Sequence, residues 1–191
     1  YTPALHLGAG SGFTAVGASQ VNITSGAVGS NPLTIETNGT ATISTTAGPG
    51  IDIYGATGQD INFTHLGATS TLNLTGAPLE VHANGAGVKV NITNGQTVAG
   101  NNNICIELDG GTSAAPAVFL NNGTLTSSSS TGIINIGPGQ PTAGSGNNYV
   151  NVDGTGTVSL TGNPTNGLIQ IHAFDNRLTF LGTANQTLNA G

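Results

Sequence analysis

The sequence predicts an all-β protein built as a parallel β-solenoid, with a β-sandwich or jelly roll as the alternative. Three observations carry this. Apolar and polar residues alternate with period two in many short runs, and Gly- and Asn-rich turns separate the runs. One four-residue unit, apolar-Asn-apolar-Thr, recurs at residues 21–24, 61–64, 72–75 and 90–93, as if similar rungs were being stacked. Aromatic residues make up only 4% of the chain, which suits a narrow interior better than a two-sheet core.

Taken in order, each tetrad places its apolar pair on one strand face and its Asn and Thr on the other. The same alternation marks Leu33-Thr34-Ile35-Glu36, Ile51-Asp52-Ile53-Tyr54, Leu79-Glu80-Val81-His82, Ile104-Cys105-Ile106-Glu107, Ile134-Asn135-Ile136 and Val150-Asn151-Val152. It continues at Val158-Ser159-Leu160, Ile169-Gln170-Ile171-His172 and Leu178-Thr179-Phe180. Between the strands stand turn formers: Asn38-Gly39, Asn84-Gly85, Asn94-Gly95, Asp109-Gly110-Gly111, Asn122-Gly123 and Asp153-Gly154. The spacing is uneven, and no strict repeat of about 20–25 residues runs through the chain. Residues 126–131 and 137–148 are low-complexity and read as loops. Nothing marks a domain boundary, so residues 1–191 are taken as one all-β domain or as a segment of a longer repetitive protein.

Composition narrows the function classes. Only 5% of residues are charged, against roughly a quarter in ordinary domains. Solubility therefore rests on amides and hydroxyls. Lys89 and Arg177 are the only basic side chains, too few to neutralise the phosphates of a nucleic acid or to sit on an anionic bilayer. The apolar runs are far shorter than the roughly 20 residues a membrane helix needs. Neither nucleic acid nor membrane insertion is expected. Cys105 is the single cysteine, which excludes an internal disulfide. It alternates out of phase with Ile104 and Ile106 and is expected to face away from their core. The chain begins at Tyr1 and contains no Met, the pattern of a mature or excised segment, and an extracellular, cell-surface location is expected.

The stretches Phe119-Leu120-Asn121-Asn122-Gly123-Thr124-Leu125-Thr126, Leu178-Thr179-Phe180 and Ala184-Asn185-Gln186-Thr187-Leu188-Asn189-Ala190-Gly191 resemble the β-helical passenger regions of autotransporters and of filamentous-haemagglutinin-like surface proteins. The resemblance implies a parallel β-helix exported to the cell surface, often for adhesion. No Gly-x-Ser-x-Gly elbow of the protease members is present.

Acid and base groups are sparse. Glu80 and His82 share a strand face, and His172 and Asp175 lie near Arg177. A glycosidase needs two carboxylates across the scissile bond, and a lyase adds a cation for the developing carbanion. These pairs are expected to be a polar strand exterior and a local ion pair, so no catalytic, cofactor or metal residue is assigned and no enzyme is expected. Asp109, Asp153 and the carbonyls of residues 101–103 form a calcium alternative, although Asp-Gly units are turn formers first. Seven Asn-x-Thr sequons stand at Asn22, Asn38, Asn62, Asn73, Asn91, Asn122 and Asn185. They imply either Asn and Thr ladders between rungs or N-glycans. Thr40-x-Thr42, Thr124-x-Thr126 and Thr155-x-Thr157 suggest an ice-binding array, but lack the even spacing a flat array needs. The expected role is a structural or adhesive surface protein, a segment or subunit of a cell-surface fibre. It would associate with itself through strand edges, or with surface glycans or proteins. The alternative is a glycan-binding or polysaccharide-degrading module.

Overall fold

The computed structural model describes residues 5–8, 10, 12–15, 21–24, 31–45, 50–76, 78–129, 132–137, 149–161, 168–171, 178–180 and 187–189. Every pairing among its strands is parallel, as a solenoid requires and as an antiparallel sandwich or jelly roll does not. The solenoid is therefore the fold and the sandwich alternative falls.

The chain winds with three strands to a turn. The first turn holds β1 (Leu5–Leu7), β2 (Gly12–Ala15) and β3 (Val21–Thr24). In the second and third turns, β4 (Leu33–Thr45) and β6 (Ile61–Thr75) each run round a corner and supply two faces, followed by β5 (Ile51–Tyr54) and β7 (Leu79–Asn84). The fourth turn is β8 (Lys89–Ile92), β9 (Gln96–Gly100) and β10 (Ile104–Asp109); the fifth is β11 (Ala117–Asn121), β12 (Thr124–Ser127) and β13 (Ile133–Gly137). Next come β14 (Val150–Asp153), β15 (Thr157–Leu160) and β16 (Leu168–Ile171), then β17 (Leu178–Phe180) and β18 (Thr187–Asn189). The four turns from Leu33 to Gly137 form the most continuous stretch.

Three faces result. The first stacks β1, the start of β4 and of β6, β8, β11, β14 and β17; the second stacks β2, the ends of β4 and β6, β9, β12, β15 and β18. The third is the separate sheet β3-β5-β7-β10-β13-β16. All four Asn tetrads alternate as expected. Ile61, Phe63, Leu72, Leu74, Val90 and Ile92 are buried, while Asn62, Asn73 and Asn91 are half-exposed and Asn22 is exposed.

The interior is made of apolar columns. Leu33, Ile61, Val90, Phe119 and Val152 stand in register down the first face. Ala41, Leu72, Val98, Leu125 and Val158 follow the second, and Ile51, Leu79, Ile104 and Ile134 the third. Apolar residues stack because each turn repeats the same inward position, and Leu, Ile, Val and Phe make up most of the fully buried set. Partner positions lie 28 residues apart at Leu33 and Ile61, 29 at Val90 and Phe119, and 33 at Phe119 and Val152. Turn length absorbs the variation. Residues 126–127, read as loop from composition, belong to β12, where Ser127 points inward and donates to the Asn102 carbonyl at 2.7 Å. Gly137 ends β13, and residues 138–148 lie outside the described residues.

The corner between the first and second faces is held by buried polar groups. Thr37 donates to Gln96 Oε1 at 2.9 Å, and Asn121 Oδ1 accepts the Gly123 amide at 3.1 Å while its Nδ2 donates to the Thr157 carbonyl at 3.2 Å. Gly123 is required there, because a Cβ would stand 2.3 Å from the Gln96 carbonyl oxygen. Other amides staple successive turns. Asn101 Oδ1 accepts from Gly76, Asn103 Oδ1 from Ile133 and Asn122 Oδ1 from Thr155. Backbone donors at corners, where the sheet ladder is interrupted, need partners, and Asn supplies them.

Candidate functional site

Two exterior regions hold side chains in arrangements beyond packing. On the third face, register places Asp52 beside Glu80 and Glu80 beside Cys105, with Tyr54 beside His82 and His82 beside Glu107. The Glu80–His82 pair singled out in the sequence is thus joined by four residues from neighbouring turns. His82 Nδ1 donates to Glu107 Oε2, and Nε2 lies 3.4 Å from Glu80 Oε2, an electrostatic contact without hydrogen-bond geometry. The Tyr54 and His82 rings stack with centroids 4.2 Å apart. Asp52 points outward by alternation yet is only 3% exposed.

These neighbours shift each other's protonation. Burial lowers the His82 pKa, but the hydrogen bond and charge of Glu107, then Glu80, outweigh it and the net shift is upward. Loss of solvent and then the carboxylates of Asp52, Glu80 and Glu107 raise the Tyr54 phenol. Cys105 does face away from the Ile104–Ile106 core, and burial together with Glu107, Glu80 and Asp109 pushes its thiol up to about 12. It is a protonated, unreactive thiol at neutral pH. The imidazole stands between the Glu80 and Glu107 carboxylates, where a sugar between a catalytic pair would need open space.

The second region is the outward side of the second face. Thr40, Thr71, Thr97, Thr124 and Thr157 occupy one column in unbroken register, and the register continues to Thr187. Sequence intervals between them are uneven, but the rungs set them about 4.8 Å apart. Even spacing, absent from the sequence, is thus present in space. Where the column meets the corner, an open groove of about 480 Å³ runs along the stack. Thr71, Thr97, Thr124, Thr157, Asn94 and Asn122 line it, and no charged, aromatic or aliphatic side chain does. The hydroxyls of these four threonines make no hydrogen bond to other described residues.

The remaining expectations divide. Among sequon residues, Asn62 and Asn91 are direct neighbours in register, but the next positions on either side are Thr34 and Leu120, so the Asn ladder is two rungs long. Asn38 lies exposed where the register between β4 and β6 shifts, and Asn185 is outside the described residues. So are His172, Asp175 and Arg177. The calcium alternative is not assembled. Asp109 ends a strand of the third face and Asp153 a strand of the first, and among the described residues no group of three or more His, Cys, Asp or Glu could hold a metal ion. No described helix is long and apolar enough to cross a membrane. The buried corner residues Thr37, Gln96 and Asn121 escaped the sequence reading. Their signal is an amide beside an Asn-Gly turn: Asn94-Gly95-Gln96 and Asn121-Asn122-Gly123.

Comparisons with protein-family models, with curated proteins and with solved structures return no match.

Proposed function

We propose that this chain is a structural and adhesive β-solenoid of an extracellular surface protein, a segment or subunit of a cell-surface fibre like the passenger regions it resembles. One observation carries the reading: the second face presents strand after strand with no charged residue, in register, with hydroxyls and amides outward. Such a surface hydrates without ionic repulsion. It makes contacts by hydrogen bonds and shape, which salt weakens little. A rod of parallel strands also carries load through many backbone hydrogen bonds along its axis, and a strand edge at the end of such a rod can pair with a further copy.

Electron microscopy and sedimentation of the purified chain test the reading. Rods or ordered oligomers that persist in about 1 M NaCl are expected. A chain that stays monomeric at high concentration would overturn the fibre-subunit role, and assemblies that dissolve in salt would show an ionic contact instead.

The glycan-binding form of the alternative reading is favoured by the groove, whose lining is polar and uncharged.

A further inference from the structure

We propose that the groove along the Thr71–Thr97–Thr124–Thr157 column binds one linear, neutral polysaccharide chain, laid parallel to the axis of the stack. The inference rests on the reading of the exterior as adhesive and names its partner.

The lining selects the class of ligand by what it offers. A nucleic acid or an anionic glycan needs cations, and none lines the groove. A lipid or an apolar peptide needs aliphatic or aromatic walls, which are missing too. An extended peptide adding itself as a strand needs an unpaired sheet edge. The strands beneath the groove are paired on both sides: β9 lies between β6 and β12, and β12 between β9 and β15. A chain dense in hydroxyls and free of charge remains.

Geometry supports the same class. The four hydroxyls repeat at about 4.8 Å, a step comparable to one sugar unit of an extended chain, so successive units meet successive rungs. Each hydroxyl both donates and accepts, and the amides of Asn94 and Asn122 add further donors and acceptors at the corner. The floor is set by Gly95 and Gly123. At Gly95 the backbone has φ +86° and at Gly123 a Cβ would strike backbone oxygens, so neither position carries a side chain into the groove. Four rungs span roughly 14 Å at that spacing, room for a few sugar units. Without an aromatic platform, each groove segment binds weakly, and useful adhesion comes from many segments acting together.

The test is native affinity electrophoresis of the whole chain in gels containing dextran, glucomannan or soluble mixed-linkage β-glucan, with alginate as the charged control. Slowed migration in at least one neutral gel, and none in alginate, is expected. Replacing two groove hydroxyls by isosteric methyls, Thr97→Val with Thr124→Val, should weaken retention about tenfold. Thr42→Val, on the same face outside the groove, should leave it unchanged, and circular dichroism should report the wild-type fold for both. No retention of the folded wild-type chain overturns the proposal, as does retention that the double variant keeps. Shaping of growing ice crystals without glycan retention also overturns it, in favour of a water-ordering array. Assembly is measured separately by sedimentation, so a chain that forms rods but ignores glycans sinks this inference and leaves the structural role standing.

Discussion

The second and third faces share one interior and differ outside. Both stack parallel strands over columns of Ile, Leu and Val, yet the third gathers Asp52, Glu80, Glu107, Asp109, His82 and Tyr54 while the strands of the second carry no charged residue. The difference teaches that the inward positions alone define the solenoid. Outward positions are free to vary from face to face, so one wall became titratable and the other hydrogen-bonding at any pH. Four measurements test that contrast.

The largest effect belongs to the shared interior. Ile106, buried beneath the third face, should cost about 2–5 kcal/mol when cut to Ala, because the stacked column cannot close over the gap. Thr97→Val on the second face should change stability by less than about 0.5 kcal/mol. Urea unfolding of both variants measures this, and equal costs would mean that inside and outside have been misassigned.

At the corner, Asn121→Ala should cost about 1–3 kcal/mol, since the Gly123 amide and the Thr157 carbonyl lose their partner in a buried place. Asn62→Ala, on an open strand face, should cost far less. Similar losses for the two would remove the distinction between amides that staple turns and amides that merely face solvent.

A smaller effect separates the faces by pH. His82 has a raised pKa in the folded chain, so its stabilising contribution is full below its unfolded value of about 6.5 and disappears as pH rises through the folded value. Glu107 carries most of the upward shift and Glu80, about half exposed, adds less, so the partly solvated contact contributes about 0.2–1 kcal/mol. The melting temperatures of wild type and His82→Gln should differ at about pH 5.5 and converge in alkali. A gap that widens with pH would reverse the assignment, and a Thr97→Val control should show no such trend.

The smallest effect is kinetic. With its thiol at about 12, Cys105 should react with iodoacetamide at neutral pH much more slowly in the folded chain than in urea. Mass spectrometry follows the adduct; equal rates would show that neither burial nor the carboxylates around it govern the thiol.

The legible part of this protein was local. Alternation around Asn62, Asn73 and Asn91 gave strands and faces, and Gly after Asn gave corners, because each depends on residues adjacent in the chain. The pair Glu80 and His82 was visible for the same reason: they stand two apart on one strand. Glu107, Tyr54 and Asp52 join it only through register, across intervals that the uneven turns disguise.

Composition and period-two patterning by themselves determined an all-β chain with aliphatic residues inside and a sparsely charged exterior, since burial and pleat act on neighbouring residues. Only the tertiary structure decided that register partners in successive turns lie 25 to 35 residues apart, that Asn pairs stop after two rungs, and that Thr forms the long column. The physical reason is that parallel stacking fixes equivalence between turns by backbone hydrogen bonds and core columns. Residues added at a corner then lengthen the sequence interval without moving the rung.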